Sequence, residues 1–314
     1  MLRWVLVFAI VLIGLLALVL VPRFRNDLAA AEARLAAEGP DIAETACGPV
    51  EFVDFGDGPA VLVVHGIFGG FDQGLGIAKG NLPPGYRAIV PSRFGYLGTP
   101  LPTDATPDAQ ADAFACLLDS LGVERVVLHG TSAGSTATLL FALRYPERTA
   151  GLILMAPNAP GGVEVGAMPR PIASRLFRSE VVFWLLTTRM QSALAPIMGV
   201  PEGFELTPEQ ATEVAEMMRS ILPVRPRADG VLFDMYVSNP HVNEPIAFGS
   251  IDAPALVINA RDDPLALYRN TAVLADRLPN AKLLSIADGG HLLLGHGDEV
   301  KAAVGDFLDR VAPR

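Results

Sequence analysis

The stretch Gly130-Thr131-Ser132-Ala133-Gly134 constrains this chain more than any other. It reads G-x-S-x-G. Ahead of it lies Arg125-Val126-Val127-Leu128-His129, a short apolar run rich in β-branched residues, and behind it residues 135–145 form a helical stretch that stops at Pro146. A serine between a strand and a helix is forced onto a sharp turn, which lifts its hydroxyl clear of the backbone. Glycines on either side leave room for that turn, because a Cβ there would meet the neighbouring elements. A pattern with three fixed positions recurs by chance, so the strand–turn–helix context carries the reading. No G-x-x-x-x-G-K-[ST] or G-x-G-x-x-G pattern surrounds the serine, which argues against a nucleotide-binding loop.

A nucleophilic serine needs a base, an orienting acid and an oxyanion site. The run Val61-Leu62-Val63-Val64 ends in His65-Gly66-Ile67-Phe68-Gly69-Gly70, a loop able to present the backbone N–H of Ile67 to the serine. Ala133, the residue after the serine, supplies the second N–H. Downstream, Ala255-Leu256-Val257-Ile258 leads to Asp262-Asp263-Pro264, and Lys282-Leu283-Leu284-Ser285-Ile286 leads to Asp288-Gly289-Gly290-His291. The order is serine, acid, base, each on a loop after an apolar run. Functional loops gather at the carboxyl ends of strands in an open parallel sheet. Among the histidines, His65 belongs to the oxyanion loop, His129 lies within a strand, His241 sits in or after a helical block, and His296 falls on a following helix. Only His291 follows a strand and a glycine pair. Asp262 and Asp263 are both candidates for the acid.

The residues from about Phe52 onward resemble the α/β-hydrolase superfamily of serine esterases and lipases. The resemblance rests on the H-G-x-x-G-G loop, the G-x-S-x-G elbow, Arg144-Tyr145-Pro146-Glu147-Arg148 leading into Gly151-Leu152-Ile153-Leu154-Met155, and the D-D-P and G-G-H loops. It extends to Pro91-Ser92-Arg93-Phe94-Gly95-Tyr96-Leu97-Gly98-Thr99, similar to the family's fourth-strand loop. It implies a mostly parallel eight-stranded sheet, helices on both faces and a helical cap inserted after the sixth strand. The family's spacing favours Asp263 as the acid and leaves Asp262 as a solvated or turn-forming carboxylate. It also implies hydrolysis of a carboxylic ester through an acyl-enzyme on Ser132, with no metal or organic cofactor. An acyltransferase or perhydrolase and a C–C bond hydrolase share the triad and stay open. A non-catalytic binding module is the remaining alternative. Arg93 and Tyr96 read first as structural, with the arginine pairing a carboxylate, and second as a border of the pocket.

The helical block covers residues 172–194, 207–222 and 230–237, and Met190, Met198, Met217 and Met218 with Phe183, Trp184 and Phe233 form either an acyl pocket or ordinary cap packing. The domain reading is 1–25 for an anchor, 26–47 for a stalk, 48–158 and 250–314 for the core, and 159–249 for the cap. The anchor reading comes from residues 4–21, apolar throughout and broken only by Gly14. At 1.5 Å per residue this run comes close to the roughly 30 Å bilayer core. No small-x-small cleavage site follows it closely. A single-pass membrane anchor is therefore expected, with an independent catalytic domain beyond about Gly39. Arg3 set against Arg23 and Arg25 does not fix the orientation, and the catalytic domain is expected on the extracytoplasmic side. The net charge of −10, with no basic stretch to offset it, argues against nucleic-acid binding. The two cysteines, Cys47 and Cys116, read as free thiols, with one bridge as the alternative.

Overall fold

A computed structural model describes residues 2–161 and 168–312, leaving out the side chains of residues 2 and 5–17. In chain order the core elements are α1 (Leu2–Ala37), β1 (Asp41–Thr45), β2 (Gly48–Phe55), β3 (Ala60–Val64), α2 (Phe71–Asn81), β4 (Arg87–Pro91), α3 (Pro107–Ser120), β5 (Val126–Thr131), α4 (Gly134–Arg144) and β6 (Thr149–Met155). The cap follows with α5 (Arg170–Phe177), α6 (Glu180–Arg189), α7 (Gln191–Leu194), α8 (Pro208–Ser220), α9 (Ala228–Phe233) and α10 (Asn239–His241). The core then resumes with β7 (Ala255–Ala260), α11 (Tyr268–Arg277), β8 (Ala281–Ile286) and α12 (Gly297–Val311).

The strands form one eight-stranded sheet in the order β1-β2-β4-β3-β5-β6-β7-β8. β1 and β2 pair antiparallel, as do β2 and β4, and every later pairing is parallel. Inner strands read as continuous apolar runs because both faces are covered. Alternate residues divide between two cores. Leu62, Val64, Leu128, Leu152, Leu154 and Val257 meet the face that includes Phe114, Phe141 and Leu274. Val61, Val63, Val127, Ile153, Leu256 and Ile258 meet the face that includes Ala78, Val304 and Phe307. The chain leaves β3 for β4 and returns to place β5 on β3's other side, so the order reverses between β3 and β5. Such a switch point opens a crevice at the strands' carboxyl ends. The loops carrying Ile67 and Ser132 both emerge there.

Three expectations are corrected. Among the described residues no helix is long and apolar enough to cross a membrane, which overturns the single-pass anchor and the membrane localisation. The side chains of residues 5–17, within the run that suggested the anchor, lie outside the described residues. Nor is the segment after it a free stalk. α1 runs through Pro22 to Ala37, and its second half lies against the core and the cap. Leu20, Phe24 and Ala31 join the apolar cluster that holds Ile67 and Phe68. Trp184 of α6 donates its indole N–H to Asp27 at 2.8 Å and stands edge-on to Phe24. Arg34 donates to Asp72 of α2 at 2.7 Å and to the carbonyls of Ser220 and Leu222. Residues 41–45, given to the stalk, are the edge strand β1. The cysteines are not free either: Cys47, in the β1–β2 turn, is bonded to Cys116 of α3.

Because α1 buries apolar surface and an ion pair against both cap and core, deleting residues 1–38 is expected to cost about 2 kcal/mol and lower the Tm by roughly 5 °C. A thermal melt of the truncated chain against the full chain checks this. An unchanged Tm would restore the independent domain.

Candidate active site

Ser132 follows the last residue of β5 with φ of 50°, in the left-handed region. This conformation costs a residue with a Cβ about 1–2 kcal/mol. Its neighbours hold it there. The Ser132 N–H donates to Met155 O at 3.0 Å, and its carbonyl accepts from the N–H groups of Ser135 and Asn158. The flanking glycines are required by space. A Cβ on Gly134 would lie 2.4 Å from His65 O, and one on Gly130 would lie 2.4 Å from Thr138 Oγ1.

From β8, His291 must cross three strand spacings, about 14 Å, to reach Ser132. Its loop turns on Gly289 and Gly290, both at positive φ. His291 Nε2 then lies 2.9 Å from Ser132 Oγ, and Nδ1 lies 2.9 Å from Asp263 Oδ2. The Asp263 side chain is fully buried and its other oxygen accepts from the N–H groups of Leu265 and Ala266. Two backbone donors and the imidazole therefore hold a carboxylate that water does not reach. Asp262 is half-buried and forms a loop contact. It accepts from the N–H groups of Gly289 and Gly290 and so ties the histidine loop to the end of β7.

The other histidines lie elsewhere. His129 is buried with Nε2 3.3 Å from Asn81 Nδ2, and burial lowers its pKa to about 4. His296 meets Asp288 and Glu299. His241 stands 3.7 Å from Asp108. His65 donates from Nδ1 to Gly66 O and accepts the Arg93 N–H at Nε2, an assignment that makes the ring neutral. Burial first, and then the Arg93 charge, hold its pKa well below the ordinary value.

The loop bearing Ile67 passes directly beside the serine, since a Cβ on Gly66 would lie 3.2 Å from Ser132 Cβ. Two buried ion pairs grip this loop. Arg93, from the loop after β4, donates to both carboxylate oxygens of Asp234 at 2.6 Å, and to His65 O and Gly66 O. Asp234 lies in the cap, in a π-helical turn that continues α9. The second pair runs the other way. Arg227 of the cap donates to both oxygens of Asp72 and to Gly69 O. Arg93, Arg227 and Asp234 are at most 1% exposed, and Asp72 is 4% exposed at its side chain. Burial raises the Asp72 carboxyl, but the charges of Arg227 and Arg34 outweigh it and leave the pKa at about 2.

Arg93 therefore does pair with a carboxylate. Among the described residues the apolar cap side chains fall into separate clusters. Phe68, Phe177 and Phe183 meet in edge-on and tilted contacts, Met218 packs with Leu194 and Leu294, Phe233 meets Phe94, and Met190 is exposed. Sequence reasoning missed Asp72, Arg227, Asp234 and Gly199. Partners 141 and 155 residues apart leave no local signature. Gly199 is a cap residue at φ +93° whose carbonyl accepts the His291 N–H at 2.9 Å.

The sequence profile described as alpha/beta hydrolase fold matches residues 59–298. A 2-hydroxy-6-oxononadienedioate/2-hydroxy-6-oxononatrienedioate hydrolase of Comamonas testosteroni is 35% identical over 131 residues, 40% of this chain and 46% of that protein, so the alignment spans less than half the relative's length. A 2-hydroxy-6-oxo-6-phenylhexa-2,4-dienoate hydrolase from the same species is 28% identical over 82% of this chain and 91% of that protein. Among solved structures, a thermophilic esterase from Thermogutta terrifontis superposes with a TM-score of 0.63 at 25% identity, covering 87% of this chain and 99% of that one.

Two outcomes follow from this geometry. A Cβ on Gly199 would lie 2.3 Å from His291 Cβ, so Gly199→Ala displaces the imidazole. Reactivity of Ser132 toward a fluorophosphonate is expected to fall about 100-fold, with circular dichroism unchanged. The Asp72 carboxyl has a folded pKa of about 2 against 3.8 for the free group. Its stabilisation is present above the unfolded value and is lost as pH falls toward 2, a change of about 2 kcal/mol. Urea unfolding between pH 5 and 2 should show this loss in the wild type and its absence in Asp72→Asn.

Proposed function

Because the chain belongs to the α/β-hydrolase fold family, we propose that it hydrolyses a bond to a carbonyl carbon, with Ser132 as nucleophile, His291 as general base and Asp263 as the acid that orients it. The observation that carries this reading is the unbroken relay of two 2.9 Å contacts from Ser132 through His291 to buried Asp263. Ser132 Oγ attacks the carbonyl as His291 Nε2 takes its proton. Asp263 fixes the tautomer and stabilises the imidazolium. The N–H groups of Ile67 and Ala133 receive the oxyanion, each donor contributing about 3 kcal/mol. The leaving group departs with the proton from His291, and water resolves the acyl-enzyme by the same route.

The leaving group is the finer question. The curated relatives support a C–C hydrolase acting on a 2-hydroxy-6-oxo-dienoate. A carbanion leaves only if it is stabilised. Moving the enol proton from the 2-hydroxyl to C5 lets the electrons of the C5–C6 bond flow into the 2-keto group. C6 then ends as a carboxylic acid and the remainder as a 2-hydroxydienoate. An ester is the second reading, supported by the likeness to the thermophilic esterase. It is also favoured by the two buried guanidiniums at the site, Arg93 and Arg227, which are already bonded to carboxylates and so are not free for a dienoate's own. The membrane has no part in either reading.

The test is turnover of 2-hydroxy-6-oxo-6-phenylhexa-2,4-dienoate against a series of p-nitrophenyl esters. The C–C reading expects the higher kcat/KM on the dienoate, and the reverse ranking would favour the ester. In both cases Ser132→Ala should lower turnover by at least about 1000-fold. Asp263→Asn should cost about 1000- to 10,000-fold, because an amide can hold the wrong tautomer. Asp262→Asn should cost less than about tenfold, since its one amide oxygen still accepts the Gly290 N–H and only the longer bond from Gly289 is lost. Equal losses at the two aspartates would reverse their roles.

A further inference from the structure

We propose that Arg93 is a positioning residue for the oxyanion site, and that Asp234 of the cap seats it there. The inference rests on the assignment of the Ile67 N–H as an oxyanion donor. That N–H and the Gly66 carbonyl belong to one peptide group, and a trans peptide points them in opposite directions. The direction of the carbonyl therefore sets the direction of the donor. Gly66 O is held from three sides, by Arg93 Nη2 at 3.1 Å, His65 Nδ1 at 2.7 Å and the Gly69 N–H at 3.3 Å. The Gly66 N–H is fixed by Gln73 Oε1 at 2.7 Å. With its carbonyl turned to the buried guanidinium, the peptide presents its N–H on the other side. A cation at the carbonyl end also polarises the group, so its N–H becomes a stronger donor.

The guanidinium is itself aimed from the cap. Asp234 takes a fork of two 2.6 Å hydrogen bonds from Nη1 and Nη2, which fixes the plane and leaves Nε and the second Nη2 hydrogen for His65 O and Gly66 O. The same carboxylate accepts the Tyr96 hydroxyl at 2.5 Å. Arg227 repeats the arrangement from the opposite side at Gly69 O. The oxyanion donor is aligned only while the cap is seated.

The experiment measures inactivation by an alkyl fluorophosphonate, whose P–O bond needs the same two donors. The maximal rate constant and the inhibitor constant are determined for wild type, Asp234→Asn, Arg93→Met and Tyr96→Phe, each checked by near-UV circular dichroism. Wild type should label Ser132. Asp234→Asn and Arg93→Met should lose at least about tenfold in the rate constant, within the 100- to 1000-fold known for loss of a whole donor. Tyr96→Phe should lose less, and the inhibitor constants should stay within about twofold. A merely structural role would move both constants together. If Arg93→Met does not fold, the near-isosteric Asp234→Asn carries the test. A folded Asp234→Asn with the wild-type rate constant overturns the proposal. Wild-type protein that is not labelled at Ser132 instead overturns the serine reading on which it rests.

Discussion

The left-handed backbone at Ser132 is the constraint on which the rest of the site depends. It lifts a hydroxyl off the end of a strand buried at all but its last residue, and α4 begins two residues later at Gly134. The turn exists only because Gly130 and Gly134 lack side chains, Gly134 lying against the carbonyls of Val64 and His65 at the end of β3. The close approach that admits the elbow therefore also brings the loop that carries Ile67 beside it. Sheet order does the remainder, since β3 and β5 are neighbours across the reversal of strand order and β7 and β8 follow on one side.

The cap is the second structural half of the site. It meets the core through reciprocal ion pairs, a core arginine with a cap aspartate and a cap arginine with a core aspartate. Buried pairs of this kind add little net stability, because desolvation offsets most of the attraction. Their value lies in direction. Losing one partner strands a buried charge at a cost of about 3–5 kcal/mol, so the seated geometry has few competitors. Gly199 adds a third contact on the histidine loop. α1 reaches the same network through Arg34 and Asp72, which ties the chain's first helix to the loop that carries Ile67.

Much of this was legible in the sequence. Apolar runs of strand length marked five of the eight strands, β3 and β5 to β8, and the helical stretch at 207–222 matched α8, which a Thr207–Gln210 capping box starts. Ser132, His291 and Asp263 could be proposed because each sits just past a strand, where local pattern and global position coincide. β1 was missed because Asp41–Thr45 is an edge strand with exposed residues and no apolar run. The same holds for side chains that act at a distance: Asp234 and Arg227 look like ordinary cap residues until the fold brings them onto the loop. The apolar run at residues 4–21 suggested a membrane span from hydropathy alone, whereas the contacts of α1 from Leu20 onward are with protein. Asp262 looked like a spare carboxylate because its partners are backbone N–H groups 27 and 28 residues away.

On the reading proposed above, Ser132 reacts inside a donor site built from Ile67 and Ala133 and held by the cap. A crystal structure of the fluorophosphonate-treated protein tests it most directly. The expected result is phosphorus bonded to Ser132 Oγ, with the phosphonyl oxygen about 2.7–3.1 Å from both backbone nitrogens and the Arg93–Asp234 pair intact. Phosphorus on another residue, or a phosphonyl oxygen turned away from the Ile67 N–H, would contradict it.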